Sequence, residues 1–191
     1  MTAVMETGVR SLKLTYEDYL YFPEDGRRHE LIDGEHYATA APNLKHQTVV
    51  SRLHLSIGGF VKAGRLGEVW MAPTDVVLSN SDVVQPDLFF VSKARLHLAA
   101  NGANLQGAPD LVVEVFSPKT RRTDVITKRH LYEKFGVQEY WMVDPELETI
   151  EIYRLREGAF RREAELSTEN EDVATTPLLP DLEIALTEIF E

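Results

Sequence analysis

Residues 111–144 read LVVEVFSPKTRRTDVITKRHLYEKFGVQEYWMVD and contain the clearest fold signal of the chain. Residues 111–116 are apolar apart from Glu114, a pattern typical of a strand that is covered on both faces. Apolar side chains at helical spacing predict a helix over 121–135, and residues 139–143 predict a second strand. Such a strand-helix-strand unit predicts an α/β or α+β fold, in which helices flank a mixed β-sheet core.

Toward the N-terminus, the sequence predicts two helices and a hairpin. A capping-box pattern predicts a short helix over 16–22. The dipeptide Asp33-Gly34 separates two short extended runs and predicts a tight hairpin turn, with Glu30 in the first strand. Beyond the hairpin, apolar residues recur at helical spacing over 43–64 and predict an amphipathic helix.

The remaining segments predict additional antiparallel strands. Residues 68–72, 74–79 and 83–91 are interpreted as a three-stranded meander, because polar turn residues separate short apolar runs. Residues 149–165 predict a hairpin for the same reason. The end of the chain, residues 181–190, fits either a strand or a helix.

Length and composition predict a single domain. The chain has 191 residues, of which 43% are hydrophobic, enough for one sizeable core over 1–191. We expect residues 1–10 to be disordered and residues 156–191 to form a C-terminal hairpin and tail. No apolar run could span a bilayer and no signal peptide is recognisable, so the sequence predicts a cytoplasmic protein with no membrane contact.

The charged and metal-binding residue types narrow the function. The chain has no cysteine, so any metal must be held by oxygen or imidazole ligands. A net charge of −11 argues against a protein that coats DNA over its whole surface. Residues 117–130 nevertheless carry five lysines and arginines against a single aspartate, which allows a local basic rim.

Two carboxylates interrupt apolar segments. Glu114 stands alone among the apolar residues of 111–116, and Asp87 occupies a comparable position within 83–91. Burying a carboxylate costs several kcal/mol unless it is paired, protonated or bound to a metal. We therefore expect both acids to serve a site, which forms only if the register of the two strands brings them together.

A lysine supplies a third member of this site. At 100° per residue, Lys128 lies at the centre of the apolar face of the predicted helix, within about 60° of Leu131 and Tyr132. The side chain therefore points toward the sheet, where it can pair with the two acids.

Two carboxylates and a lysine suit the hydrolysis of phosphodiesters. The carboxylates can hold Mg²⁺ or Mn²⁺, which polarises the phosphoryl oxygen and lowers the pKa of bound water. The lysine can orient that water or stabilise the charge that develops. The sequence thus indicates catalytic roles for Asp87, Glu114 and Lys128.

The same residues carry a family resemblance. The pair Pro-Asp at 86–87, followed by Glu-Val-Phe at 114–116, resembles the PD-(D/E)XK nuclease motif. Longer segments within 15–155 are similar to the Uma family of restriction-endonuclease-like proteins: HELIDGE, HQTVVSRL, VVQPDLFFVS, GAPDLVVEVFSP and YEKFGVQEYWMVDP. The resemblance implies a restriction-endonuclease-like mixed β-sheet core flanked by helices.

The resemblance also implies a metal site. Asp87 and Glu114 would bind the metal, with the Val115 carbonyl as a further ligand. Sites of this superfamily often add a carboxylate from an early element, for which Glu30 is the best candidate and Asp75 the runner-up.

The nuclease motif departs from its usual form at one position. Phe116 stands where the motif has a lysine, and in this superfamily that lysine can move to the following helix, which fits Lys128. The implied activity is a Mg²⁺-dependent DNA endonuclease, working as a homodimer because two DNA strands need two sites.

Other interpretations stay open. Asp87 and Glu114 could form structural ion pairs with Lys128 or with Arg121 and Arg122, and His46 could be a core residue or a member of the site. The alternative function is a catalytically inactive binding or assembly module that keeps the nuclease fold and a vestigial metal site. Glycoside hydrolysis is disfavoured, because few aromatic residues that could stack on a sugar lie near the acids.

Overall fold

The architecture combines two larger β-sheets, a two-stranded sheet and the helices that pack on them. The structure is a computed structural model that describes residues 12–116 and 123–191. In chain order the helices and strands are α1 (Tyr16–Tyr19), β1 (Arg28–Ile32), β2 (Glu35–Thr39), α2 (Leu44–Gly64), β3 (Gly67–Met71), β4 (Val76–Ser79), β5 (Asp82–Val84), β6 (Leu88–Ser92), β7 (Leu105–Gln106), β8 (Leu111–Val115), α3 (Arg129–Phe135), β9 (Glu139–Asp144), β10 (Thr149–Arg156), β11 (Ala159–Ser167), β12 (Val173–Thr175), β13 (Glu183–Ala185) and α4 (Leu186–Phe190). Short 3-10 helices cover Lys93–Ala99 and Thr168–Asn170, and a π-helical turn, Thr123–Lys128, leads into α3.

Six strands form the main sheet, in the order β11-β10-β9-β8-β6-β3. β8 and β9 are parallel, with Leu111 opposite Glu139, and the other neighbours in this sheet are antiparallel. Parallel strands need a crossover connection, and the π-helical turn and α3 lie within it. The predicted mixed sheet flanked by helices is confirmed.

The two faces of the main sheet belong to two different cores. Val113 and Val115 of β8 pack on the face that α2 covers, whereas Val112 and Phe116 pack on the opposite face with residues of α3. Because side chains of a strand alternate between faces, Glu114 shares the α3 face with Val112. The apolar stripe of α2 that covers the other face consists of Val49, Val50, Leu53, Ile57 and Val61.

Five strands form the second sheet, in the order β2-β1-β5-β4-β7. Its first hairpin pairs Ile32 with Glu35, and the two residues between them, Asp33 and Gly34, have φ angles of 49° and 73°. Positive φ at both central positions is the signature of a tight turn that suits the twist of a hairpin. The predicted hairpin is confirmed, with Glu30 in its first strand.

The prediction of one strand over 83–91 was wrong. β5 ends at Val84 and β6 begins at Leu88, and these strands belong to different sheets. Pro86 has no backbone N–H for a ladder hydrogen bond, and the chain leaves the second sheet here to enter the main sheet. The predicted meander was also wrong, because β4 pairs with β5 whereas β3 pairs with β6. Asp87 therefore lies in the connection between the two sheets.

Several element boundaries differ from the predicted ones. The helix predicted over 16–22 is the single turn α1, and the helix predicted from residue 121 is observed from Thr123, since residues 117–122 lie outside the described residues. The predicted disorder of 1–10 also falls outside them. The end of the chain contains both predicted possibilities, the strand β13 and then the helix α4.

The longest helix among the described residues is α2, with 21 residues. Its exposed side carries charged residues such as Lys45 and Lys62. Within residues 12–116 and 123–191, no helix has both the length and the apolar character needed to cross a membrane.

Candidate active site

The candidate site is built around Glu114, which β8 places on the α3 face of the main sheet. Glu114 is only 2% exposed, because apolar residues cover its strand on both faces. Its Oε1 accepts hydrogen bonds from the Lys128 ammonium at 3.0 Å and from the Tyr132 hydroxyl at 2.7 Å. A cation and a neutral donor, both from the segment that follows β8, thus stabilise a buried carboxylate.

Lys128 is the last residue of the π-helical turn before α3, and its side chain points into the protein, with 5% of the residue exposed. Its Nζ lies 3.0 Å from Oε1 of Glu114 and 2.8 Å from Oε1 of Glu30. The lysine therefore links a carboxylate of the main sheet to a carboxylate of the second sheet. This position agrees with the helical facing derived from the sequence, although the turn that carries it is wider than an α-helix.

Asp87, in the connection between the two sheets, receives three donors. Its Oδ1 pairs with the Arg28 guanidinium, and its Oδ2 accepts hydrogen bonds from Nε2 of His46 at 3.0 Å and from the Val115 N–H at 2.9 Å. Because Val115 directly follows Glu114, the last contact brings the two acids of the nuclease-like motif to the same end of β8.

The surroundings of Asp87 keep its carboxyl ionised. Burial raises the pKa of Asp87, but the hydrogen bond from His46 and the charges of His46 and Arg28 outweigh burial and lower the pKa to about 2. The acids act in turn on Arg28: burial lowers the pKa of its guanidinium, whereas Asp87, Glu114 and Glu30 raise it above its ordinary value. All three carboxylates are therefore close enough to act on one cation.

We expect Asp87 to stabilise the metal-free protein above about pH 4 and to lose this effect in acid. The folded pKa lies below the ordinary value of 3.8, so the contribution is complete above that value and falls as the pH drops toward about 2. At about 1.4 kcal/mol per pKa unit, a pKa of about 2 in place of 3.8 corresponds to about 2 kcal/mol of stability. Urea unfolding of the wild type and of Asp87→Asn between about pH 6 and pH 2 measures this contribution to the free energy of unfolding. A stability difference that does not narrow in acid would contradict this account.

Arg28 and Tyr132 complete the cluster, although neither was among the predicted site residues. Burial, followed by the charges of Glu114 and Glu30, raises the pKa of Tyr132 well above its ordinary value, so its hydroxyl remains a donor. Sequence signals existed for both residues. Arg28 shares a face of β1 with Glu30, because they are two residues apart, and Tyr132 follows Lys128 by four residues, one helical turn.

The first turn of α2 brings His46 to Asp87. The side chain of Asn43 caps this turn by accepting a hydrogen bond from the His46 N–H at 2.9 Å. An ionised carboxylate can only accept, so Nε2 of His46 carries the proton that it shares with Asp87. Nδ1 of the same ring is buried and has no hydrogen-bond partner among the described residues.

Asp75, the runner-up for the additional carboxylate, lies one contact away from the cluster. Its Oδ1 accepts hydrogen bonds from the Tyr19 hydroxyl at 2.6 Å and from Nε2 of Gln85 at 2.8 Å. The backbone N–H of Gln85 in turn donates to Oε1 of Glu30 at 2.9 Å. Asp75 thus supports the loop beside the cluster, whereas Glu30 belongs to the cluster itself.

The donors of the cluster suit a hard divalent cation by their chemistry. Glu30, Asp87 and Glu114 supply carboxylate oxygens, the ligands that Mg²⁺ prefers. In residues 12–116 and 123–191, however, no three acidic or histidine side chains are arranged to hold a metal ion. Arg28 and Lys128 contact these carboxylates and neutralise much of their charge. An ion would compete with these two cations for the same oxygens.

Comparison with known proteins gives a family and a fold. The sequence model of the family described as "Uma2: Putative restriction endonuclease" matches residues 16–187. The chain is also similar to a solved structure described as a putative nuclease belonging to DUF820 from Anabaena variabilis, with 22% sequence identity and a TM-score of 0.78. The match covers 93% of this chain and 97% of that chain, and at this identity it establishes the shared fold. No curated protein matches the chain.

Proposed function

The chain belongs to the Uma2 family, described as putative restriction endonucleases, and from this premise we propose that it is a divalent-metal-dependent nuclease acting on DNA. The observation that carries the proposal is the meeting of Glu30, Asp87, Glu114 and Lys128 in one buried cluster. Burying charged groups is unfavourable in free energy, and a cluster of them assembled from segments far apart in sequence is typical of a functional site. The description of the Anabaena protein as a putative nuclease supports the same interpretation.

We assign Asp87, Glu114 and the Val115 carbonyl as metal ligands, with Glu30 as the additional carboxylate. Bound Mg²⁺ or Mn²⁺ supplies polarisation of the phosphoryl oxygen and a lowered pKa for water. The protein holds the ligand oxygens in place through Tyr132, which donates to Glu114 from a buried position.

The remaining polar side chains of the cluster act on the substrate in this proposal. Lys128 orients the attacking water and stabilises the negative charge that develops on the phosphoryl oxygens. Arg28 is more exposed than the acids, with 22% of its side chain accessible. If an ion displaced the guanidinium from Asp87, Arg28 would be free to contact a phosphate, for which its planar fork of N–H donors is well suited.

We expect purified protein to cleave DNA in the presence of Mg²⁺ or Mn²⁺ and to be inactive in EDTA, because in this proposal the bound ion lowers the pKa of the attacking water. Supercoiled plasmid and end-labelled oligonucleotides measure nicking and double-strand cleavage, and a matched RNA oligonucleotide tests the choice of nucleic acid. Calorimetric titration of the metal-free protein reports ion binding independently of cleavage. No cleavage of either substrate with either ion would contradict the proposal.

A homodimer is part of the proposal, because hydrolysis of both strands of a duplex needs two sites. Light scattering of the free protein and of its DNA complex measures the number of chains. A single chain in both states, together with exclusive nicking, would limit the proposal to a one-strand enzyme.

One observation favours the alternative, a catalytically inactive binding or assembly module with the same fold. The carboxylates already have cationic partners within the protein, since Arg28 pairs with Asp87 and Lys128 pairs with both glutamates. Such a network stabilises a fold without any metal. Binding of Mg²⁺ without cleavage, and unchanged binding in Lys128→Ala, would select this alternative.

A further inference from the structure

A cleft at the far end of α2 from His46 has a charge opposite to that of the protein as a whole. The cleft has a volume of about 560 Å³ and lies between the second half of α2, the strand β3 and the 3-10 helix Lys93–Ala99. Its charged lining consists of Lys62, Arg65 and Lys93 against the single carboxylate of Glu68. In a chain of net charge −11, such a local reversal creates a potential that attracts anions. We call this site the basic cleft.

The three cations of the basic cleft lack a charged partner among the residues that the structure describes. Within the described ranges, the side chains of Lys62, Arg65 and Lys93 have neither an ion-pair partner nor a hydrogen-bond partner. Elsewhere cations commonly pair with acids, as Arg95 does with Asp110 at 2.7 Å. Unpaired like charges repel one another, so their concentration in one cleft destabilises the free protein slightly. A bound polyanion would remove that repulsion.

The fold brings the three cations together through the connection from α2 to β3. Arg65 ends α2 in the left-handed conformation with a φ of 54°, a position that usually favours glycine or asparagine. The Lys93 N–H donates to the Leu66 carbonyl at 2.7 Å, which fixes the start of the 3-10 helix beside the end of α2. Gly67 permits this approach, because a Cβ there would lie 2.1 Å from the Val91 carbonyl oxygen. An arginine thus occupies a position where glycine or asparagine would be less strained.

The basic cleft and the candidate active site lie along the same helix. His46 contacts Asp87 near the start of α2, and Lys62 follows sixteen residues later, which corresponds to about 24 Å along the helix axis. The strand β6 gives a similar value, since the six residues from Asp87 to Lys93 span about 20 Å. At about 3.4 Å per base pair, this separation equals about six or seven base pairs of duplex DNA.

We propose that the basic cleft binds backbone phosphates of nucleic acid and anchors the substrate about six or seven base pairs from the reacting phosphodiester. The proposal rests on the proposed function in that the anchored nucleic acid is the substrate of the Asp87 cluster. Flexible lysine and arginine side chains contact phosphates without reading the sequence. A second copy of the chain fits less well, because a two-fold contact through this cleft would bring like charges together.

Fluorescence anisotropy in EDTA, which removes cleavage from the measurement, tests the proposal with a labelled duplex of about 16 base pairs. The test variant combines Lys62→Gln, Arg65→Asn and Lys93→Gln. Asparagine is chosen at residue 65 because it tolerates the left-handed conformation there. The control combines Arg156→Gln, Arg161→Gln and Arg162→Gln, which removes the same charge from exposed positions at the opposite edge of the main sheet. We expect the test variant to bind about 10- to 100-fold more weakly, with a shallower salt dependence, and the control to bind within about twofold of the wild type.

Further measurements distinguish nucleic acid from other possible ligands of the basic cleft. A hairpin duplex of about four base pairs, which spans only about 14 Å and is too short to reach both sites, is expected to bind the wild type and the test variant alike if it is held at the active site. Tight binding of a free nucleoside triphosphate that the duplex cannot displace would overturn the proposal. So would a change from dimer to monomer in the test variant with unchanged affinity for DNA. Charge reversal by Lys62→Glu and Lys93→Glu, at exposed positions, repeats the test without altering the helix end.

Failure of this inference is distinguishable from failure of the proposed function. Equal affinity of the two triple variants for DNA would overturn the anchor, whatever the wild-type protein cleaves. Weakened binding in the test variant alone would support the anchor even if no cleavage were found. With an active wild type, we expect the test variant to show a raised KM and an unchanged kcat, because the cations act far from the reacting phosphate.

Discussion

Replacement of Lys128 by methionine is expected to lower the free energy of unfolding by about 3–5 kcal/mol. The lysine contacts Glu30 at 2.8 Å and Glu114 at 3.0 Å, and both acids are buried. Without the lysine two negative charges face each other in a region of low dielectric, and removing one member of a buried ion pair is far more harmful than removing a surface charge. Urea unfolding at neutral pH measures the change.

The control for this substitution is Lys45→Met, which removes an exposed lysine whose partner, Glu146, lies 3.3 Å away. We expect this control substitution to lower the free energy of unfolding by less than about 1 kcal/mol, because surface ion pairs contribute little to stability. Adding Glu30→Gln to Lys128→Met is expected to restore part of the lost stability, since it removes one of the two buried carboxylates that Lys128 contacts. Equal effects of Lys128→Met and Lys45→Met would show that the acids do not depend on the lysine.

The methionine variant also offers a test of metal binding that needs no cleavage. In Lys128→Met, Glu30 and Glu114 lose the cation that contacts both of them, so a divalent ion gains more by binding there. We therefore expect Mg²⁺ or Mn²⁺ to raise the Tm of Lys128→Met by more than it raises the Tm of the wild type. The same shift in both proteins would place ion binding elsewhere on the surface.

Cleavage is expected to fall by at least about 10²- to 10³-fold in Asp87→Asn and in Glu114→Gln. An amide has nearly the size of the carboxylate but lacks its charge, so each substitution removes a proposed metal ligand while changing the packing very little. Single-turnover cleavage of a labelled duplex at saturating protein isolates the chemical step from binding.

Asp110→Asn serves as the matched control for both substitutions. Asp110 is a buried acid at the opposite end of β8 and pairs with Arg95 at 2.7 Å, as Asp87 pairs with Arg28. Its loss should reduce stability but leave the rate of the chemical step within about threefold of the wild type in folded protein. Comparable rate losses in all three variants would indicate a general effect of buried acids on the fold.

Local patterns made much of the fold and part of the candidate site predictable. The hairpin turn at Asp33-Gly34 depends on two adjacent residues, and the burial of Glu114 follows from its immediate neighbours in β8. The facing of Lys128 follows from helical periodicity, even though a π-helical turn carries it. Each of these features depends on a few residues close together in sequence, where conformational preferences act directly.

Contacts between the sheets could not be predicted in this way. Pro86 was a visible signal against one strand over 83–91, but the apolar residues on both sides of it concealed a change of sheet. Arg28 also required tertiary structure, because its partner Asp87 is 59 residues away in sequence and belongs to a different part of the fold. Which charge meets which acid is decided by how the two sheets pack on each other. The period of the apolar residues shows which face of a strand is buried but does not identify its partner in the other sheet.

The change of sheet at Pro86 has a consequence for the motions of the protein. Arg28 and Glu30 belong to one sheet, Glu114 to the other, and Asp87 to the chain between them. A partial opening along this seam would disperse the cluster while leaving the hydrogen-bond ladder of each sheet intact. The free energy of that opening, which is smaller than the free energy of global unfolding, would therefore set the fraction of molecules that keep the cluster assembled under mild denaturing conditions.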